Sequence, residues 1–206
     1  GGSITNIMQA GFEIDRMKKT DVLHGFNIDG SVKWGPEWFF NNIHGRADFV
    51  NLNLTAKGYF SLLELKWAES DLTLIGIYLA DRVQVDYLTG SAVPEFYQED
   101  PSLGTKMRGF EGNSYGTEFT VVNNFDVRIY GPEFLDNINP VVQLFLDAGY
   151  QAGRYFNTEY SPEGQFLLST GFVIAVNIID FTQVGYMFGF PLVGENIQQQ
   201  MPQSGI

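Results

Sequence analysis

The chain has 206 residues and a formal charge of −12, from 12 Lys and Arg against 24 Asp and Glu. That length suits one domain, and that charge excludes a phosphate-seeking surface, so nucleic acid is not an expected partner. With no cysteine in the chain, disulfides and thiolate chemistry are excluded as well.

The opening Gly1-Gly2-Ser3 reads as an expression scar or a trimmed mature end and stands outside the fold argument. From there the hydrophobic period is two almost throughout. Strands are predicted near 4–16, 24–35, 47–61, 71–87, 118–131, 139–152, 164–179 and 181–192. At 26–34, Phe26, Ile28, Val32 and Trp34 alternate with Asn27, Asp29, Ser31 and Lys33. At 50–60, Val50, Leu52, Leu54, Ala56 and Phe60 alternate with Asn51, Asn53, Thr55 and Lys57. At 183–190, Val184, Tyr186, Phe188 and Phe190 alternate with Gln183, Gly185, Met187 and Gly189. No segment has a helical period, and proline and glycine fall mostly between strands, so the fold is predicted to be all-β with antiparallel neighbours. The β domain is expected to span 4–193, with a loop at 101–117 and a polar tail at 194–206.

Alternation alone does not say which face is inside. A soluble sandwich buries its apolar face, whereas a membrane barrel turns it to lipid. Three features favour lipid. The predicted strands exceed the usual soluble length of about 5–6 residues and match the ~9–11 needed to span a bilayer. The polar face mixes both signs (Glu13, Asp29, Lys33, Lys57, Arg82, Asp86, Asp126, Arg128) with Asn and Gln. Aromatic residues gather near segment ends (Phe12, Trp34, Tyr59, Tyr87, Tyr130, Tyr150, Phe188, Phe190), as in an interfacial girdle. The expectation is an antiparallel transmembrane β-barrel with about eight strands per chain. Those strands either close alone or complete a larger barrel with a second copy or another polypeptide. Membrane lipid is the first expected partner.

The loop contains "TKMRGFEGN", in which Met107, Arg108, Gly109 and Phe110 form a hydrophobic-Arg-Gly-aromatic motif. It precedes "FTVVNNFDVRIYGP" and then "NPVVQLFLDAGYQ". This order resembles the BamA/TamA-type outer-membrane assembly and secretion superfamily, the bacterial surface antigen family. "AGFEIDRMKKTDVLHGFNIDGSVKWG", "FVNLNLTAKGYFSL", "LLSTGFVIAV" and "FTQVGYMFGFPL" resemble other strands of that family, so the likeness runs from about residue 8 to 193. It covers the C-terminal half of a sixteen-strand family barrel. The segment after "GFPLVGEN" lacks the alternating final strand that the family has.

The resemblance implies that Arg108 reaches into the lumen and pairs with Asp147 of "FLDAG", with Asp126 of "FDVR" as a second wall acid where the family usually has Glu. Alternation independently places Gln143, Phe145 and Asp147 on one face, and Asn124, Asp126 and Arg128 on one face. In a closed eight-strand form the lumen would be filled by side chains, excluding Arg108 and leaving Asp147 to Arg128. Lys106 reads as a rim cation. The function implied is non-enzymatic: insertion or transport of client outer-membrane or secreted proteins, at the bacterial outer membrane. Two alternatives stand beside it. One is a passive or structural eight-strand membrane barrel without a client, a remnant or an engineered half. The other is a soluble ligand-binding β-barrel with an apolar interior. No catalytic motif is present, and no cofactor or metal is expected. His24 and His44, the only histidines, read as turn or rim residues, and Asn53 of "NLT" as lumen polarity.

Overall fold

The computed structural model describes residues 5–19, 23–42, 46–67, 73–94, 97, 103–110, 117–134, 138–155, 164–178 and 182–194. The expectations for residues 1–3, His44, residues 195–206 and the outer parts of the 101–117 loop lie outside the described residues.

The strands are β1 (Met8–Asp15), β2 (Lys18–Lys19), β3 (Leu23–Gly35), β4 (Asp48–Lys66), β5 (Thr73–Ala92), β6 (Thr117–Tyr130), β7 (Ile138–Tyr155), β8 (Gln165–Ile178) and β9 (Thr182–Val193). Eight of them form one antiparallel meander in the order β1-β3-β4-β5-β6-β7-β8-β9, and β2 adds a two-residue pairing to β3. Among the described residues β1 pairs only with β3 and β9 only with β8, so the sheet is not closed. The closed eight-strand form is thereby corrected. An eight-strand barrel has an interior just wide enough for its own side chains. Here the β5–β6 connection occupies that space as well, through Leu103 and Met107 at 0% and 3% exposure.

The register sorts the side chains as the period of two requires. Asn53 lies opposite Asp86 and Ser31, Asn124 opposite Asp147, and Asp147 opposite Ser169. On the other face Leu52 lies opposite Val32 and Tyr87, and Val121 opposite Val85 and Tyr150. Burial is inverted relative to a water-soluble sheet. The apolar face is open, with Leu54, Leu144 and Ile174 at 43%, 48% and 55% exposure, while Asp147, Gln151 and Ser169 are fully enclosed on the polar face. Two aromatics expected in the girdle sit elsewhere. Tyr59 lies 5.9 Å from the Arg128 guanidinium and Tyr130 stands edge-on to Tyr78 at 5.3 Å, both on the polar side.

β4 and β5 reach 19 and 20 residues, longer than expected. In β4 a register shift between Ser61 and Leu63 breaks the alternation, so the sequence period fades while the pairing continues to Lys66 opposite Thr73; the residues that β5 gains, 88–92, lie at its other end, opposite 48–51. Among the described residues no helix is long and apolar enough to cross a membrane.

Candidate functional site

The site is built where the β5–β6 connection folds onto the polar face of β5, β6 and β7. Leu103–Lys106 makes a single helical turn, which is too short to leave a period in the sequence. That turn places Leu103 and Met107 on one side, four residues apart. Both pack with Val122 of β6 and Leu167 of β8, with Phe110 against the cluster. Gly149 of β7 makes room for them: a Cβ there would lie 2.5 Å from Leu103 Cδ1 and from Met107 Sδ.

This anchor delivers Arg108 to two carboxylates. Its Nε donates to Asp147 Oδ2 at 2.9 Å, its Nη2 to Asp147 Oδ1 at 2.5 Å, and its backbone N–H to Asp147 Oδ2 at 2.8 Å. The guanidinium thus engages Asp147 with the two-pronged geometry that only arginine offers. Nη1 forms an ion pair with Asp126 Oδ1 at 2.7 Å, and Asp126 Oδ2 accepts from Arg128 Nη2 at 3.0 Å. The guanidinium carbon also lies 4.1 Å from the Phe145 ring centre, a cation–π contact that closes one side. Two cations and two anions balance locally. Burial works against the charged guanidinium of Arg108, but hydrogen bonds to Asp147 and the attraction of Asp126 outweigh it and raise its pKa further.

Gly109 supplies the turn that follows. Its φ is 87°, a conformation that costs glycine nothing. It also meets Gly189 of β9 so closely that a Cβ on Gly189 would fall 2.7 Å from the Gly109 Cα. The loop therefore touches the last strand of the sheet as well as the middle ones.

Arg108, Asp126, Asp147 and Arg128 are brought together, and Met107 and Phe110 pack beside them while Gly109 turns the chain. The alternative pairing of Asp147 with Arg128 is not adopted; Arg128 takes Asp126. Lys106 is not at the rim. Its Nζ donates to Asp86 Oδ2 at 2.5 Å, and both side chains are only 12% exposed. Asp86 also accepts from Asn53 Nδ2 at 2.6 Å and Gln84 Nε2 at 2.9 Å. Asn124 Nδ2 donates to the Lys106 carbonyl at 3.1 Å, tying this second cluster to the first. Asp86 belongs to the polar-face set expected from the sequence. The pairing of a loop lysine with it leaves no mark in the sequence. His24 lies in β3 opposite Lys18.

Comparison with family models, with curated proteins and with solved structures gives no match to this chain.

Proposed function

We propose that this chain forms one wall of a transmembrane β-barrel in the bacterial outer membrane and acts in insertion or transport of outer-membrane or secreted proteins. The observation behind this reading is the loop arginine locked onto Asp147 and Asp126 on the polar face of a sheet whose apolar face is open. A soluble ligand-binding barrel fits poorly, because its interior would be apolar and its exterior polar. Lipid cannot satisfy unpaired backbone groups, so in a bilayer the β1 and β9 edges pair with a second copy or with another polypeptide. A ring made this way has a lumen wide enough for the β5–β6 loop.

The membrane part is tested by folding the chain into detergent and into phosphatidylcholine vesicles. The expected outcome is a folded species that runs differently on a gel before and after heating and that resists protease in vesicles. A chain that is monodisperse and folded in buffer without detergent would sink the reading. The assembly part is tested by adding an unfolded β-barrel client to vesicles that hold the protein. Its folding should be faster than with empty vesicles, and faster than with vesicles holding the Arg108→Ala variant.

A further inference from the structure

The segment 36–42, the first part of the connection from β3 to β4, is a built platform. Asn41 is 2% exposed. Its Nδ2 donates to the carbonyls of Pro36 at 3.0 Å and Asn6 at 2.9 Å, and its Oδ1 accepts from the Asn6 N–H at 2.7 Å. Asn6 Nδ2 in turn donates to the Phe39 carbonyl at 3.2 Å. Within this frame Phe40 adopts a φ of 59°, the one described non-glycine residue in the left-handed region. A side chain with a Cβ enters that region at a cost. Burial does not recover it, because Trp38 and Phe40 are each 66% exposed. Trp38 stands edge-on to Trp34, with ring centres 5.8 Å apart. Trp34 is the last outward residue of β3, so the ring row carries the apolar outer face past the end of the strand.

Two further features say what covers these rings. The same end of the outer face carries Tyr87, Tyr150 and Phe166 at 39%, 37% and 50% exposure, on β5, β7 and β8. Aromatics that recur at one level along a wall fit a bilayer interface better than a local protein partner. Beside the rings, Glu37 and Arg46 form an exposed ion pair at 3.3 Å, which places charges of both signs where zwitterionic headgroups would lie. The connections at this end, 36–47, 93–116 and 156–164, are also longer than those at the other, 67–72, 131–137 and 179–181.

We propose that Trp38 and Phe40, presented by the Asn41 frame, are an interfacial foot that seats in the headgroup–glycerol layer of a phospholipid bilayer at the long-loop end of the wall. This rests on the membrane reading above.

The test uses the full chain in phosphatidylcholine vesicles whose acyl chains are brominated either high, near the glycerol, or low, near the midplane. The chain has three tryptophans. Trp34→Phe with Trp67→Phe therefore leaves Trp38 as the sole reporter, and Trp38→Phe with Trp67→Phe leaves Trp34. The expected result is Trp38 emission quenched about twofold more by high than by low bromines, as an interfacial ring requires. If Trp34 is quenched and Trp38 is not, the foot is wrong and the membrane wall stands. If Trp38 is quenched mainly by low bromines, it belongs to the wall and the foot is again wrong. If neither is quenched, the membrane reading fails and takes the foot with it. Phe40→Gly separates anchoring from folding. It should fold at least as well in detergent, because the strain is gone, yet partition into vesicles about tenfold less, because one ring is lost. Unchanged partitioning would overturn the proposal.

Discussion

Arg108 and Asp147 are an interior ion pair whose partners cannot be removed singly without penalty. Asp147 is fully enclosed and the Arg108 side chain is 21% exposed. Removing either leaves an uncompensated charge, at about 3–5 kcal/mol where burial is deep. Arg108→Ala and Asp147→Ala are each expected to lower the unfolding free energy, read by urea titration in detergent, by that order, and the double variant by less than the sum. Lys106→Ala is no control, because Lys106 is itself paired with Asp86. Arg46→Ala is one: its ion pair with Glu37 is 62% and 43% exposed and contributes about 0–1 kcal/mol. A second residue-scale test concerns polarity on the wrong face. Asp81 and Asn123 point outward among apolar neighbours in the middle of β5 and β6, and Asn123 Nδ2 donates to Asp81 Oδ1 at 2.6 Å. At bilayer mid-depth such a carboxylate is unfavourable. Asp81→Val with Asn123→Val should raise the unfolding free energy in vesicles by about 1 kcal/mol. A lower value would show that this face does not meet acyl chains.

At the scale of elements, the loop is seated by glycines on the inner face. Gly149 and Gly189 differ in what an added methyl would strike. On Gly149 it meets the ends of the flexible Leu103 and Met107 side chains; on Gly189 it meets the Gly109 backbone at 2.7 Å. Gly189→Ala is therefore expected to dislodge the loop, costing about 1–3 kcal/mol and speeding protease cleavage within 103–110, with Gly149→Ala the milder of the two. Strand positions and faces were legible in the sequence because a period of two is local: Asp126, Asp147 and Asp86 could each be placed on the polar side from their neighbours alone. The loop arginine was legible only through the order of motifs around it. The rest depends on distant pairing. Asn41 contacts Asn6 across 35 residues, and Lys106 reaches Asp86 across 20, so neither leaves a pattern in its own stretch. The far end of β4 was missed for a local reason. Leu62, Leu63 and Leu65 are all exposed around a register shift, so apolar residues stop alternating. The outward Asp81 shows that alternation assigns a face without saying whether the residue suits it.

At the scale of the whole molecule, the sheet ends in two edges, β1 and β9, that have no second partner strand among the described residues. The absence of cysteine makes their partner easy to trap. Ala10→Cys with Tyr186→Cys puts one thiol on the outer face of each edge. Oxidation in vesicles is expected to give disulfide-linked pairs of chains on a non-reducing gel; a monomer cross-linked to itself would mean that the eight strands close after all. The geometry of those edges has a further consequence. Eight strands that alternate in direction leave β1 and β9 running opposite ways, so β9 of one copy meets β1 of the next without inverting either. That contact is head-to-tail, and head-to-tail contacts either close into rings or run on as filaments. A bilayer holds copies side by side and upright, which favours a ring. In water nothing imposes that curvature, and the same edges make a template for endless ribbons. The charge of −12 slows that association while it is unscreened. Detergent-free protein should therefore associate slowly at low ionic strength and grow cross-β fibres faster as salt is added, at a rate read by a fibre-binding dye. The feature proposed to make this chain half of a ring would make it, away from lipid, the repeating unit of a polymer.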